Sequence, residues 1–260
     1  MITLKTPQET AKMREAGRVV AAMLTACCGA VRPGVTTAEL DRVAADVLKK
    51  HGAQSNFKGY GVPALPPFPG VICTSINSEV VHGIPGKRRL KDGDILSIDA
   101  GAIVEGWHAD AAITVAVGTV SPEAAKLIAV TEEALRRGIG AAQVGRRLGD
   151  VGGAVQRWVE SQRLTVVRNY VGHGIGRAMH EEPQVPNYGV PERGLQIKEG
   201  LCIAIEPMVN VGGSETRTLD DRWTVMTADG SLSAHFEHTV WCTAAGPVVL
   251  TAPEEAAVAA

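Results

Sequence analysis

Twice along this chain a Lys-acid-Gly triplet opens into an apolar run that closes on a carboxylate. Lys91-Asp92-Gly93 leads through Ile95-Leu96-Ser97-Ile98 to Asp99, and Lys198-Glu199-Gly200 leads through Leu201-Cys202-Ile203-Ala204-Ile205 to Glu206, 107 positions later. Other features return in the same order. Ser121-Pro122-Glu123 repeats the helix start at Thr6-Pro7, and the apolar triplet Leu40, Val43, Val47 recurs as Leu148, Val151, Val155 at an offset of 108. Asn56-Phe57-Lys58-Gly59-Tyr60-Gly61 is echoed by Asn169-Tyr170-Val171-Gly172-His173-Gly174. Four features in one order at nearly one offset read as an internal duplication. Each half then supplies two helices and a curved set of antiparallel strands, packed about a pseudo-two-fold axis in an α+β architecture.

The local signals agree with this plan. Thr6 can cap a helix, Pro7 suits its first turn and Glu9 completes a capping box. Met13, Val19, Val20, Met23, Leu24 and Cys27 follow mostly at helical spacing until Pro33-Gly34 stops the element. A second helix is expected from about Thr37, with Leu40, Val43, Val47 and Leu48 as its apolar face and His51-Gly52 as its end. Leu127, Ile128, Thr131, Ala134 and Leu135 predict a third helix, and Leu148, Val151, Val155, Trp158 and Val159 a fourth. Asn56 to Pro69 reads as a loop rich in Gly and Pro, followed by a strand from Val71 to Ile76. His82 stands before a turn, where a lone His is usually structural.

Lys91 to Gly118 reads as two strands with a short connection, the first ending on Asp99 and the second containing Asp110. An acid there costs free energy to desolvate unless a cation meets it. A turn position or an Arg partner is one solution, and a shared metal ion is the other. The duplication sets Glu206 against Asp99, and spacing suggests Glu237 in Ala234-His235-Phe236-Glu237-His238 as the counterpart of Asp110. His173 can come close because glycines flank it. Like-charged carboxylates about 4 Å apart repel by about 4 kcal/mol at an effective dielectric of 20. Two divalent ions balance four carboxylates, and an oxygen-rich set with one imidazole suits Mn, Fe(II), Co or Zn. Such a pair acidifies a bridging water and polarises a carbonyl, which is metal-assisted hydrolysis.

Composition removes other classes of function. A net charge of -2 offers no basic surplus for nucleic acid or a membrane surface. No segment has the length and apolarity of a membrane span or a signal peptide. Five cysteines without Cys-x-x-Cys spacing suggest neither a disulfide framework nor a thiolate zinc site, so a reducing cytoplasm is expected.

Asp99, Asp110, His173, Glu206 and Glu237 stand within Gly172-His173-Gly174-Ile175-Gly176, His180-Glu181-Glu182-Pro183, Ile205-Glu206-Pro207-Met208 and Phe236-Glu237-His238-Thr239. In these motifs the chain closely resembles the methionine aminopeptidases, from the first helix to about Leu250. The duplication suggests halves at about 1–118 and 119–251, the small residues around Glu254-Glu255 suggest a flexible tail over 252–260, and the resemblance implies a pita-bread fold in one catalytic domain over residues 1–251. It implies a cytoplasmic, monomeric hydrolase that removes the initiator methionine from nascent chains or peptides when the next residue is small, meeting the ribosome transiently. A water or hydroxide bridging two divalent ions would attack the scissile carbonyl. Only 31 residues separate Glu206 from Glu237, which resembles the type I form because it leaves no room for the helical insertion of type II. No N-terminal zinc-binding or ribosome-docking extension is expected.

By the same resemblance, Asp99 holds one ion, His173 and Glu206 hold the other, and Asp110 and Glu237 bridge. Glu206 also accepts a proton from the attacking water, His180 hydrogen-bonds the substrate carbonyl, and His82 contacts the scissile amide nitrogen. Tyr60, Phe68, Cys73, Met179 and Trp223 line the methionine pocket, a set that ordinary core packing would also produce. Three departures stand out: a longer loop over 61–67 carrying Pro63, Pro66 and Pro67, Met179 where Phe is common, and His235 where Gln is usual. The loop is expected to lie over the pocket. His235 shares strand parity with Glu237 and is expected to approach the metal site. A prolidase or proline-specific aminopeptidase shares fold and metals but usually adds an N-terminal domain. A binding protein on the same fold would lack metal ligands that are present here.

Overall fold

The computed structural model describes residues 2–61 and 65–253. Residues 62–64 of the long loop and most of the expected tail, 254–260, lie outside the described residues. Helix α1 (Pro7–Ala30) begins with the expected capping box, in which Thr6 Oγ1 accepts from the Glu9 amide and the Glu9 carboxylate accepts from the Thr6 amide. Helix α2 (Thr37–His51) repeats the device with Thr36 and Glu39 and stops at Gly52 in the left-handed conformation. Its buried apolar face is Leu40, Ala44 and Leu48, while Val43 and Val47 lie half-buried beside it. The 3.6-residue turn centres the i, i+4, i+8 line on the core and swings the two valines to its rim.

Strands β1 (Gln54–Ser55), β2 (Ile72–Ile76), β3 (Glu79–Val81), β4 (Ile95–Val104) and β5 (Trp107–Ala116) complete the first half. Helices α3 (Pro122–Ala141) and α4 (Leu148–Ser161) open the second half, followed by β6 (Thr165–Val166), β7 (Gly172–Gly174), β8 (Glu181–Val185) and β9 (Cys202–Ile205). The remaining strands are β10 (Met208–Asn210), β11 (Thr216–Thr218), β12 (Val225–Thr227), β13 (Ser233–His235), β14 (Glu237–Thr243) and β15 (Gly246–Val249). The main sheet runs β1-β4-β5-β14-β9-β7-β8, with β2 added on β4 and β15 on β14. Its recorded pairs are antiparallel. One apolar layer seals Ala16, Val20 and Met23 of α1 against Leu96, Ile98 and Ala111 of the sheet. Another joins Leu135 of α3 and Val151 of α4 to Ile203, Ile205 and Val240. The helices thus cover one face of the sheet and leave its other face for polar side chains.

Strand register bears the duplication out. Gln54 and Ser55 pair with Ile103 and Ala102, and Thr165 and Val166 pair with Asn210 and Val209. Residues 210 and 209 lie 107 positions after 103 and 102, the offset that separates the acids Asp99 and Glu206. Two expectations need correction. Asp99 does not end its strand, because β4 continues to Val104. Small residues carry it on: Ala100 and Ala102 pack into the α1 layer, and the chain reverses only at Glu105-Gly106, both at positive φ as a two-residue hairpin requires.

The second correction concerns Asp110. Asp99 faces Ala112 and Gly101 faces Asp110, whereas in the second half Met208 faces His235 and Ile205 faces His238. Carrying that ladder one step sets Glu206 opposite Glu237. The register counterpart of Asp110 is therefore His235, and that of Glu237 is Ala112. Spacing alone missed this because the returning strand of the second half arrives after the β11–β12 excursion, which carries a different number of residues from the tight first hairpin.

Candidate active site

Period-two alternation puts Asp99 and Asp110 on the same face of β4 and β5, as diagonal neighbours across the ladder. Glu237 joins them by pairing with Ala112, and Glu206 follows directly on β9. His173 sits in the middle of β7, which is squeezed between β8 and β9. A Cβ at Gly172 would lie 2.3 Å from the Ala204 carbonyl oxygen, and one at Gly174 would lie 2.2 Å from that of Glu182. The flanking glycines thus serve close strand approach, which brings the imidazole to the acids. His173 Nε2 lies 3.7 Å from Asp110 Oδ2 and 3.6 Å from Glu206 Oε1. Ligand atoms of Asp110, His173 and Glu237 lie within 4.8 Å of one another.

The residues present fit divalent cations. His173 Nδ1 lies 2.8 Å from the Gly174 carbonyl oxygen and donates to it, so Nε2 keeps its lone pair for the cluster. Among the described residues, Asp99 Oδ1 is buried with no hydrogen-bond partner. Asp110 is steadied by Thr239, whose Oγ1 is 2.8 Å from the Asp110 carbonyl oxygen and 3.2 Å from Oδ1. Burial, reinforced by neighbouring acids, holds Asp99, Glu206 and Glu237 well above the usual carboxylate range, and burial pushes Asp110 up to about 6. Burial drives His173 down to about 4, so its imidazole is neutral and ready to bind a metal.

These shifts set the pH response of the metal-free protein. An acid with a raised folded pKa stabilises the fold at low pH, and that contribution is lost as pH climbs through the folded value. For Asp110, raised from 3.8 to about 6, the loss is about 3 kcal/mol by pH 7. The buried histidines act oppositely, regaining stability as pH rises from about 4 to 6.5. Above pH 7 Asp110 is ionised and the histidines are neutral in both states, so the slope left in the chelated protein belongs to Asp99, Glu206 and Glu237, held well above the carboxylate range by burial, and its sign is a fall in melting temperature with rising pH. Saturating Mn2+ is expected to abolish that slope, as thermal denaturation with and without metal will show.

Beside the acids opens a cavity of about 270 Å3. Its apolar wall is Phe57, Phe68, Cys73, Met179 and Trp223, with Tyr60 at the rim. Cys73 pairs directly with Asp99 across β2 and β4, which fixes the apolar pocket against the acidic cluster. Trp223 Nε1 donates to the Pro66 carbonyl oxygen at 2.9 Å and meets the edge of Phe68, so the described part of the long loop packs against the pocket wall. His180 lies at the mouth, its ring centroid 4.3 Å from that of His173, and its Nδ1 is 2.9 Å from the Tyr60 hydroxyl. His82 lines the same cavity at a φ of 61° and packs its ring edge-on to Trp223. All twelve site residues expected from the sequence therefore gather around one cavity.

His235 arrives as well. It is buried, its Nε2 has no hydrogen-bond partner among the described residues, and that atom lies 3.8 Å from Glu206 Oε2. Sequence reasoning missed Phe57 and Thr239. Phe57 stands in the same aromatic-glycine loop as Tyr60, and Thr239 shares strand parity with Glu237, so both signals were present.

A duplicated, curled antiparallel sheet whose open face gathers acids that cations can neutralise places this protein among the pita-bread metalloenzymes. The model of metallopeptidase family M24 matches residues 11–244, and the chain belongs to that family. A methionine aminopeptidase of Clostridium perfringens is 51% identical over 252 residues, covering 96% of this chain and 99% of its own. The crystal structure of a methionine aminopeptidase from Thermotoga maritima superposes with a TM-score of 0.93 at 43% identity, covering 96% of this chain and 99% of its own. A prolidase from Pyrococcus furiosus reaches a TM-score of 0.75 at 21% identity, covering 96% of this chain and 66% of its own, and so shares the fold. Membership of the family implies divalent metal use, in keeping with the cluster around His173.

Proposed function

We propose that this chain removes the N-terminal methionine of peptides and proteins when the second residue is small. The observation that carries the reading is the direct abutment of an unbranched-chain-sized apolar pocket on the acidic cluster, with Cys73 and Asp99 as ladder partners. A methionine side chain held by Phe57, Phe68, Met179 and Trp223 leaves its carbonyl beside the acids, and sulfur is well received by aromatic rings and a thiol. Residues 1–251 act as one catalytic domain. Asp99, Asp110, His173, Glu206 and Glu237 would hold the metal ions, and Mn, Fe(II), Co and Zn all suit this donor set. When bound, the two ions lower the pKa of water and polarise the scissile carbonyl.

The chain's own groups do the rest. Glu206, a carboxylate at the edge of the cluster, takes the proton of the attacking water. Burial keeps the Tyr60 hydroxyl protonated, so it donates to His180 Nδ1 and leaves Nε2–H to donate to the substrate carbonyl oxygen as charge develops there. His82, which lines the same cavity, meets the scissile amide nitrogen. The spacing of Glu206 and Glu237 supports the type I form. Five unpaired cysteines support a reducing cytoplasm, where a monomer would meet nascent chains and, transiently, the ribosome.

A peptide series tests this. Met-Ala-Ser is expected to release methionine at least about tenfold faster than Met-Trp-Ser, because a bulky second residue crowds the mouth of the pocket. Ala-Pro peptides are expected to remain intact. Cleavage of Ala-Pro in preference to Met-Ala-Ser would instead assign the chain to the prolidase activity.

A further inference from the structure

Among the described residues, the segment ahead of α1 makes a contact that packing alone does not require. Lys5 is a buried cation, its side chain only 4% exposed, and its Nζ lies 2.6 Å from Glu181 Oε2. The same ammonium donates to Thr3 Oγ1 at 2.7 Å and to the Thr3 carbonyl oxygen at 3.2 Å, and Thr3 Oγ1 itself donates to Glu181 Oε2 at 2.9 Å. Burying a lysine and a glutamate this far is costly unless each is fully met by partners. Here the ammonium has three acceptors, and the carboxylate is shared between two structures.

The second structure is the turn that carries the pocket wall and the mouth histidine. Glu181 Oε1 accepts from the Arg177 amide at 2.7 Å and from the Ala178 amide at 3.2 Å, closing residues 177–181 into a ring around its carboxylate. Met179 and His180 lie inside that ring. Burial pushes the Glu181 carboxyl up, but Lys5 and the other donors together hold it below the usual range, so it stays charged at neutral pH.

The backbone is shaped to admit the strap. A Cβ at Gly176 would stand 2.4 Å from Lys5 Cε, and one at Gly200 would stand 2.8 Å from the Lys5 carbonyl oxygen. The Lys5 amide donates to the Gly200 carbonyl oxygen at 2.7 Å. Gly200 belongs to the turn that launches β9 toward Glu206, so Lys5 spans the turn behind Glu206 and the turn bearing His180.

We infer that Lys5 is a positioning residue for the reaction, acting through Glu181 to hold His180 and Met179 against the acidic cluster. This rests on the aminopeptidase reading above, in which His180 meets the substrate carbonyl. A transition-state donor displaced by a fraction of an ångström loses rate while the apolar pocket still binds, so the effect falls on kcat. Because Lys5 acts only through Glu181, the two residues form one device.

The test is a double-variant cycle on the metal-loaded protein, with Lys5→Met removing the charge at similar length and Glu181→Gln keeping an acceptor for the two amides. Each single variant is expected to lower kcat for Met-Ala-Ser by about tenfold, with KM within about threefold and metal content unchanged. The double variant is expected to lose no more than either single one, while recovering melting temperature because no unpaired buried charge remains. Unchanged kcat in folded, metal-loaded Lys5→Met and Glu181→Gln, or strictly multiplicative losses in the double variant, would overturn the inference. Failure of the unaltered protein to release methionine would strike the underlying activity instead, so the two failures are distinguishable.

Discussion

Glu206→Gln is expected to lower kcat for methionine release by about 10³-fold, the range in which a positioned general base contributes. Glutamine keeps the shape of the side chain and one oxygen near His173, but it cannot take a proton from water. The structure adds a second expectation of opposite sign. Burial, together with Asp110 and Asp99, opposes a charge on Glu206, so removing that charge relieves repulsion in the metal-free protein. The variant is therefore expected to melt at or above the temperature of the unaltered protein under chelation, while being nearly inactive with metal. Steady-state kinetics and thermal denaturation on one preparation check both. Activity within about tenfold of normal would move the proton acceptor elsewhere in the cluster.

His180→Ala carries the second large effect, a fall of about 10² to 10³ in kcat, as for loss of one donor to a developing oxyanion. His180 stands at the open mouth with Nδ1 tied to Tyr60, so its removal leaves both the acids and the apolar wall in place. KM is expected to change little, and metal content not at all. Tyr60→Phe gives the matching control: without the hydroxyl the imidazole is free to swap tautomers, and kcat is expected to fall by about tenfold, less than in His180→Ala. Equal metal content with unchanged kcat in His180→Ala would remove the histidine from the reaction.

The helix starts, the duplication and the acids were legible in the sequence because each rests on local chemistry. Thr6-Pro7-Gln8-Glu9 specifies a cap by the reach of its own side chains, and the alternation of apolar and polar residues specifies which face an acid takes. Residues that act at a distance were less legible. Nothing local distinguishes Val43 from Ala44 in facing the core, since the angle of α2 on the sheet decides it. The length of β4 beyond Asp99 depended on small residues meeting α1, a tertiary fact.

The counterpart of Asp110 shows the limit most clearly. Spacing pointed to Glu237, whereas hydrogen-bond register gives His235, because the connection between the paired strands differs in length between the halves. The roles of His82, His180 and the pocket residues came from resemblance to a family and had no local signature of their own. Their convergence on one cavity is a property of the folded sheet. Lys5 is the extreme case, since an ordinary lysine before a helix cap carries no hint of Glu181, 176 residues away.

Methionine removal is proposed to depend on metal ions held by four carboxylates and His173. Methionine release from Met-Ala-Ser, measured on the chelated protein as Mn2+ or Co2+ is added back, tests it most directly. No release is expected from the chelated protein, with recovery on adding either ion and no recovery in Asp110→Ala. Undiminished release after exhaustive chelation, confirmed by elemental analysis of the same sample, would contradict it.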